Sequence, residues 1–205
     1  MRIKSRPIIA IFLGVLILSS AGLVYLQLFT GRPSEFAILE TSMGLVEIEL
    51  FRDKAPTTVD NFIRYINDKF YDGTVFHRVM SGFVIQGGGF TSNSTQKTTR
   101  APIKLEAGAS NKAGTIAMAR TSDPNSATSQ FFINLVDNSK SLDLSQVNAG
   151  YAVFGTVGKG MDVVNTIASI QTETRQVYFP QYNQTVPFDD WPVEDVVIIK
   201  AYMKK

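Results

Sequence analysis

The sequence predicts a mainly β fold: a closed, eight-stranded antiparallel barrel capped by two α-helices and preceded by an N-terminal transmembrane helix. Three observations lead there. About eight stretches carry strand patterning, separated by turn residues that include many of the fifteen glycines. Only two amphipathic helical patterns occur, and roughly a hundred residues part them, so strands and helices do not alternate as in a doubly wound sheet. Finally, the 22 residues at positions 8–29 contain no charge. Closing the sheet into a barrel also removes its exposed edges.

The chain begins with a cationic flank, 1–7, holding Arg2, Lys4 and Arg6. At about 1.5 Å per residue, a helix over 8–29 crosses a bilayer core. The cationic flank stays in the cytoplasm and the rest of the chain is carried across. Two readings of this segment stand. Ser19-Ser20-Ala21 suits a signal-peptidase site, which would leave a soluble protein outside the cytoplasm. The apolar run, however, continues through Leu23, Val24, Leu26 and Phe29, which favours an uncleaved single-pass anchor with the domain outside the cytoplasm. Residues 30–35, with Gly31 and Pro33, form a linker, and 36–205 form the globular domain.

Phe36 to Leu39 is the first strand and Ser42-Met43-Gly44 a turn. In the next stretch Val46, Ile48 and Leu50 alternate with Leu45, Glu47 and Glu49, the period of a half-buried strand. Pro56 opens a helix whose apolar stripe is Val59, Phe62, Ile63 and Ile66. Asp72-Gly73 is a turn into two strands joined around Ser81-Gly82. Residues 91–112 are polar and loop-like. Strands resume at 114–119, 130–135 and 151–157, with the Asp123-Pro124 turn and the polar stretch 136–150 between them. Met161, Val164, Ile167 and Ala168 mark a second, short helix. A loop rich in aromatics and prolines covers 171–192, and VVIIKAYM at 196–203 is the last strand.

Composition removes several chemistries. Cysteine is absent, so disulfides, thiolate metal sites and a cysteine nucleophile are excluded. Without the three N-terminal cations, 17 Lys and Arg face 18 Asp and Glu, so the domain has no basic excess for nucleic acid. One histidine cannot build a multi-histidine metal site, and no G-x-S-x-G elbow supports a hydrolytic triad. GTVGKG at 155–160 lacks the phosphate-binding G-x-x-x-x-G-K-[ST] spacing and reads as a turn between strand and helix. The glycines at 87–89 suit close backbone approach. The sequons at Asn93 and Asn183 have meaning only in a host that glycosylates.

The distinctive stretch is FHRVMSGFVIQGGGF, Phe76 to Phe90. It sets His77, Arg78 and Gln86 within an apolar run, where polar groups are costly unless paired or facing a cleft. Together with AMAR at 117–120, SQFFIN at 129–134 and GYAVFG at 150–155, it closely resembles the cyclophilin family of peptidyl-prolyl cis-trans isomerases, in wording most like its bacterial periplasmic branch. The resemblance covers about 36–203, and with the N-terminal segment it implies a single-pass anchor in a bacterial inner membrane with the domain facing the periplasm, or a soluble periplasmic protein after signal cleavage. It implies the eight-stranded barrel capped by two helices.

It also implies the chemistry. Rotation about X-Pro meets a barrier of ~18–20 kcal/mol because the amide loses resonance. No bond breaks, so no cofactor or metal is expected. Arg78 matches the catalytic arginine, which bonds the proline carbonyl and approaches the prolyl nitrogen. Phe83, Val84, Phe132 and Leu142 would line the proline pocket, and Gln86 would bond the substrate backbone. Ala119, Arg120 and Gln130 match positions along the peptide groove, Arg120 acting mainly through its backbone. His77 is structural in this family, neither acid nor base.

The chain departs from the eukaryotic pattern at the pocket rim. Ser141 stands where many members carry tryptophan, and Tyr151 where they carry histidine. Loss of the indole removes area and an N–H, so weak cyclosporin binding is expected. The expected partners are proline-containing polypeptides, in exported or unfolded chains, and the membrane through 8–29. The alternative is a non-catalytic, membrane-tethered module or chaperone that captures proline peptides. Capture alone would not require Arg78.

Overall fold

The computed structural model describes residues 34–205. The predicted membrane segment at 8–29, its flank at 1–7 and linker residues 30–33 lie outside the described residues. Among the described residues no helix is long and apolar enough to cross a membrane.

In chain order the elements are β1 (Glu35–Thr41), β2 (Gly44–Leu50), α1 (Pro56–Asn67), β3 (Thr74–Met80), β4 (Val84–Thr91), β5 (Thr115–Met118) and β6 (Phe131–Asn134). There follow α2 (Ser139–Leu142), β7 (Val153–Lys159), α3 (Met161–Ala168), β8 (Thr172–Phe179), β9 (Gln184–Pro192) and β10 (Val197–Met203). Eight strands close a barrel in the order β1-β10-β3-β4-β6-β5-β7-β2, every pair antiparallel. Closure is made by the domain's first and last strands, Ala37 standing opposite Met203.

The alternation read in β2 is the alternation observed. Val46, Ile48 and Leu50 are buried inside, while Leu45 is exposed. The helix stripe holds likewise: Val59, Phe62 and Ile66 are buried and Ile63 packs against the same core. Phe62 sits among the rings of Tyr71, Phe131 and Phe154 at 5.2, 5.8 and 5.0 Å. Pro56 fits the start of α1 because it lacks the N–H that a first turn leaves unpaired. Two further orphan donors, Thr57 N–H and Thr58 N–H, donate to the Glu106 carboxylate at 3.1 and 2.8 Å.

The two longer helices stand at opposite ends of β2. α1 follows its C-terminal end. α3 lies at its N-terminal end, where a Cβ on Gly44 would come within 2.9 Å of Val163. β7 reaches α3 through Gly160, whose φ is 88° and whose added Cβ would fall 2.2 Å from the Leu45 carbonyl oxygen. No other residue fits there.

The structure corrects one expectation. Residues 171–192 are not a loop but a two-stranded sheet of their own, β8 paired with β9. Its strands carry no clean alternation, and Pro187 and Pro192 argue against strand, so the pattern was hidden. The hairpin is held by a second small core in which Val75, Phe90, Val177 and Trp191 are fully buried and Phe179 and Phe188 pack on them. Trp191 donates its indole N–H to Asp195 at 3.0 Å, and Arg175 pairs with the same carboxylate at 2.5 Å. A smaller difference is α2, a single turn within the polar stretch 136–150.

His77 belongs to this second core. Its ring lies 4.6 Å from Phe90 and 5.8 Å from Trp191, and it is 1% exposed. Nδ1 has no hydrogen-bond partner among the described residues. Burial, with the adjacent Arg78 charge adding to it, lowers its pKa to about 3. The unfolded chain protonates this histidine near its ordinary value of about 6.5, whereas the native state does not until about 3. Native stability is therefore full above pH 6.5 and falls as pH drops, by about 1.4 kcal/mol per pH unit well below 6.5. His77 is the only histidine, and unfolded-chain carboxylates titrate near pH ~4. Urea unfolding should thus show stability declining from pH 7 to 5 in the wild type and flat over that window in His77→Gln; equal slopes would assign the pH dependence elsewhere.

Candidate active site

A regular strand sends successive side chains to opposite faces. On β4, β6 and β5 the inward set is Ile85, Ile133 and Ile116, all in the main core. The outward set should meet water, yet Val84, Phe132 and Ala117 are buried, and with Val153 of β7 they form a separate apolar cluster outside the barrel wall. Register explains their adjacency. Arg78 stands opposite Gln86, Gln86 opposite Phe132, Phe132 opposite Ala117, and Ala117 opposite Val153. Opposite residues share a face, so one strip crosses five strands from a cation to an apolar floor.

Arg78 reaches this strip through a bulge. Phe76 pairs with Gly87 and Arg78 with Gln86, so β3 carries one extra residue there. Phe76 and Val79 point into the main core. His77 and Arg78 both leave it: the histidine goes beneath the hairpin and the arginine to the cleft.

Over the strip lies a cleft of about 140 Å³. That is close to the ~150 Å³ of an apolar cavity able to take a benzene ring, so a five-membered ring fits. Arg78 and Gln86 edge it, Phe83, Val84 and Phe132 form wall and floor, and Leu142 and Tyr151 form the far rim. Ala119 and Arg120 continue the lining. Gln130 is not part of the lining. It sits behind Gln86, whose Nε2 donates to Gln130 Oε1 at 2.9 Å. The ten residues singled out in the sequence thus come together, nine around the cleft and one supporting it.

The rim is braced. Arg120 lays its guanidinium 4.5 Å over the Tyr151 ring and donates from Nε to the Gly150 carbonyl at 3.0 Å. That fixes Tyr151 edge-on to Phe132, ring centres 5.5 Å apart. Leu142 sits at the end of α2, and its carbonyl accepts from Tyr151 N–H at 3.1 Å. Ser141, the rim position lacking an indole, turns its hydroxyl to the Asn138 carbonyl at 3.2 Å.

Two supports were missed in the sequence. A buried chain of amides holds the Phe83 turn against α2: Asn138 Nδ2 donates to Asn134 Oδ1 at 2.9 Å and lies 3.0 Å from the Phe83 carbonyl oxygen. Asparagines spaced along loops carry no periodic signal, so nothing marked them. The other is Asp190, whose Oδ2 lies 3.7 Å from Arg78 Nε. It was hidden because its segment had no strand pattern. Among the described residues Arg78 donates no hydrogen bond, which leaves its terminal nitrogens free.

Known proteins share this architecture and sequence. Residues 36–203 match the family described as cyclophilin type peptidyl-prolyl cis-trans isomerase/CLD. A peptidyl-prolyl cis-trans isomerase of Acinetobacter baylyi is 51% identical over 168 residues, covering 81% of this chain and 84% of the relative. Peptidyl-prolyl cis-trans isomerase A of Dickeya dadantii is 46% identical over 198 residues, 96% of this chain and 99% of the relative. Peptidyl-prolyl cis-trans isomerase B of Escherichia coli is 47% identical over 163 residues, 77% and 96% of the two chains. Among solved structures, a Cryptosporidium parvum cyclophilin type isomerase, crystallised in the presence of the dipeptide Ala-Pro, superposes with a TM-score of 0.64. It is 23% identical and covers 83% of this chain and 99% of its own, a likeness of fold. With the barrel, the outward apolar strip and relatives near half identity in agreement, this chain belongs to the cyclophilin-type peptidyl-prolyl cis-trans isomerases, a family of enzymes.

Proposed function

We propose that this isomerase accelerates X-Pro rotation by stabilising the twisted imide with Arg78 above an apolar proline pocket. The observation that carries the reading is a charged donor, free of protein hydrogen bonds among the described residues, at the edge of a cleft sized for a pyrrolidine ring. The planar isomers keep amide resonance, and the transition state does not. As resonance is lost the prolyl nitrogen pyramidalises and regains a lone pair. A guanidinium aimed there binds the twisted state better than either planar one, which is what catalysis requires. Phe83, Val84 and Phe132 desolvate the ring. Gln86, oriented by Gln130, keeps a carbonyl oxygen and a second N–H for the substrate backbone. The Ala-Pro dipeptide present with the Cryptosporidium relative belongs to the ligand class that this reading assigns.

The place of action is part of the proposal. Residues 8–29 anchor the chain in a bacterial inner membrane, and the domain acts in the periplasm on exported or unfolded chains. Uncatalysed prolyl isomerisation takes tens to hundreds of seconds, slow enough to limit their folding. The reaction needs no ATP.

In a proline-peptide isomerisation assay on the full chain, Arg78→Ala should lower kcat/KM about 10²-fold with an unchanged thermal midpoint. Equal activity in both proteins would remove the mechanism. Inactivity of the wild type would leave the capture module. Calorimetry should find cyclosporin binding weaker than about 10⁻⁷ M, because Ser141 offers the rim no indole; tighter binding would contradict this. N-terminal sequencing of the membrane-fraction protein should read from the chain's start, whereas a protein beginning at Gly22 would show a cleaved signal.

A further inference from the structure

We propose that Asp190 is a positioning residue for Arg78, and that the β8–β9 hairpin tunes the isomerase through it. The inference rests on the catalytic role given to Arg78 above.

Three features of the hairpin converge on this carboxylate. The first is contact. Asp190 Oδ2 lies 3.7 Å from Arg78 Nε, and no other carboxylate pairs with Arg78 among the described residues. Engagement at Nε leaves both terminal nitrogens of the guanidinium for the cleft. The second is register. Glu173 pairs with Trp191, but Arg175 pairs with Phe188, so Asp189 and Asp190 together face the single residue Thr174. This is a β-bulge, a device that re-aims side chains. Without it, strict alternation from Phe188 would turn Asp190 toward the aromatic core and Trp191 outward. With it, Trp191 is fully buried, Asp189 accepts from Thr174 Oγ1 at 2.7 Å, and Asp190 is turned to Arg78. The third is backbone conformation. Asp190 has φ of 61°, the left-handed region that few non-glycine residues adopt and that asparagine and aspartate tolerate best.

The two partners are also presented from bulges on facing strands, Arg78 from β3 and Asp190 from β9. The hairpin carrying Asp190 is clamped at its base by the Trp191, Arg175 and Asp195 contacts. The carboxylate therefore has a fixed origin from which to hold a long, otherwise free side chain. Restricting that side chain before substrate arrives lowers the barrier, because the donor is already placed when the imide twists.

The test is a double-mutant cycle on the full chain with an uncharged proline peptide as substrate. Asp190→Asn keeps shape and tolerates the left-handed backbone while removing the charge. Both groups are more than a third exposed, so a modest effect is expected: kcat/KM about two- to five-fold lower, carried by kcat with KM unchanged, and no change in thermal midpoint. The difference from wild type should shrink as NaCl approaches ~1 M. In the Arg78→Ala background the same substitution should have no effect. Asp190→Gly, which also accepts the backbone, should match Asp190→Asn. Wild-type kcat in Asp190→Asn, or an equal loss in the Arg78→Ala background, would overturn the inference while the Arg78 mechanism stood. Full activity of Arg78→Ala alone would instead remove the mechanism and this inference with it.

Discussion

An extra residue in β3 puts His77 and Arg78 on the same side of the barrel wall, against the alternation that a regular strand would impose. That local break in period decides much of the rest. With regular pairing one of the two would point into the aromatic interior around Phe62 and Phe131 and be lost from the outer face. Sent outward, His77 needs a cover. The β8–β9 hairpin supplies it with Phe188 and Trp191. Sent outward beside it, Arg78 reaches the strip of Val84, Phe132 and Ala117. Histidine, cover, cation and pocket are thus four consequences of one irregular pair of rungs.

The outward strip explains why the candidate site could be read from sequence at all. Strands of a closed barrel need only one apolar face. β4, β5 and β6 have two, which is why FVIQ, TIAM and QFFIN look over-hydrophobic for their place. The second apolar face of β5 and β6 was not legible, whereas the apolar run from Phe76 to Phe90, with Arg78 and Gln86 embedded in it, was. So were β2 and α1, whose periods of two and 3.6 are unbroken. The family resemblance then attached roles to positions that periodicity alone could only mark as odd.

What stayed illegible has a common cause. The hairpin over 171–192 packs against a small core of its own, through residues whose spacing is shifted by the bulge at Asp189 and Asp190. Its prolines fall within a strand that lies outside the barrel ladder. The amide chain through Asn134 and Asn138 is built between β6 and α2, and depends on how a loop folds back, not on any repeat. Arg120 shows the same limit at the level of one side chain: its guanidinium is engaged with Tyr151 and Gly150. Only the folded geometry reveals that it braces the rim.

The barrel is sealed by its first and last strands, with Ala37 to Thr41 of β1 lying along Ile198 to Met203 of β10. A ribosome makes β1 first and β10 last of the eight barrel strands. Until β10 emerges, β1 has only β2 beside it, and its other edge is an unpaired ladder. The strands that carry the cleft, β3 to β6, are by then complete. Closure of this barrel therefore waits for β10, and until that strand is made the edges of β1 and β3 that it covers stay unpaired.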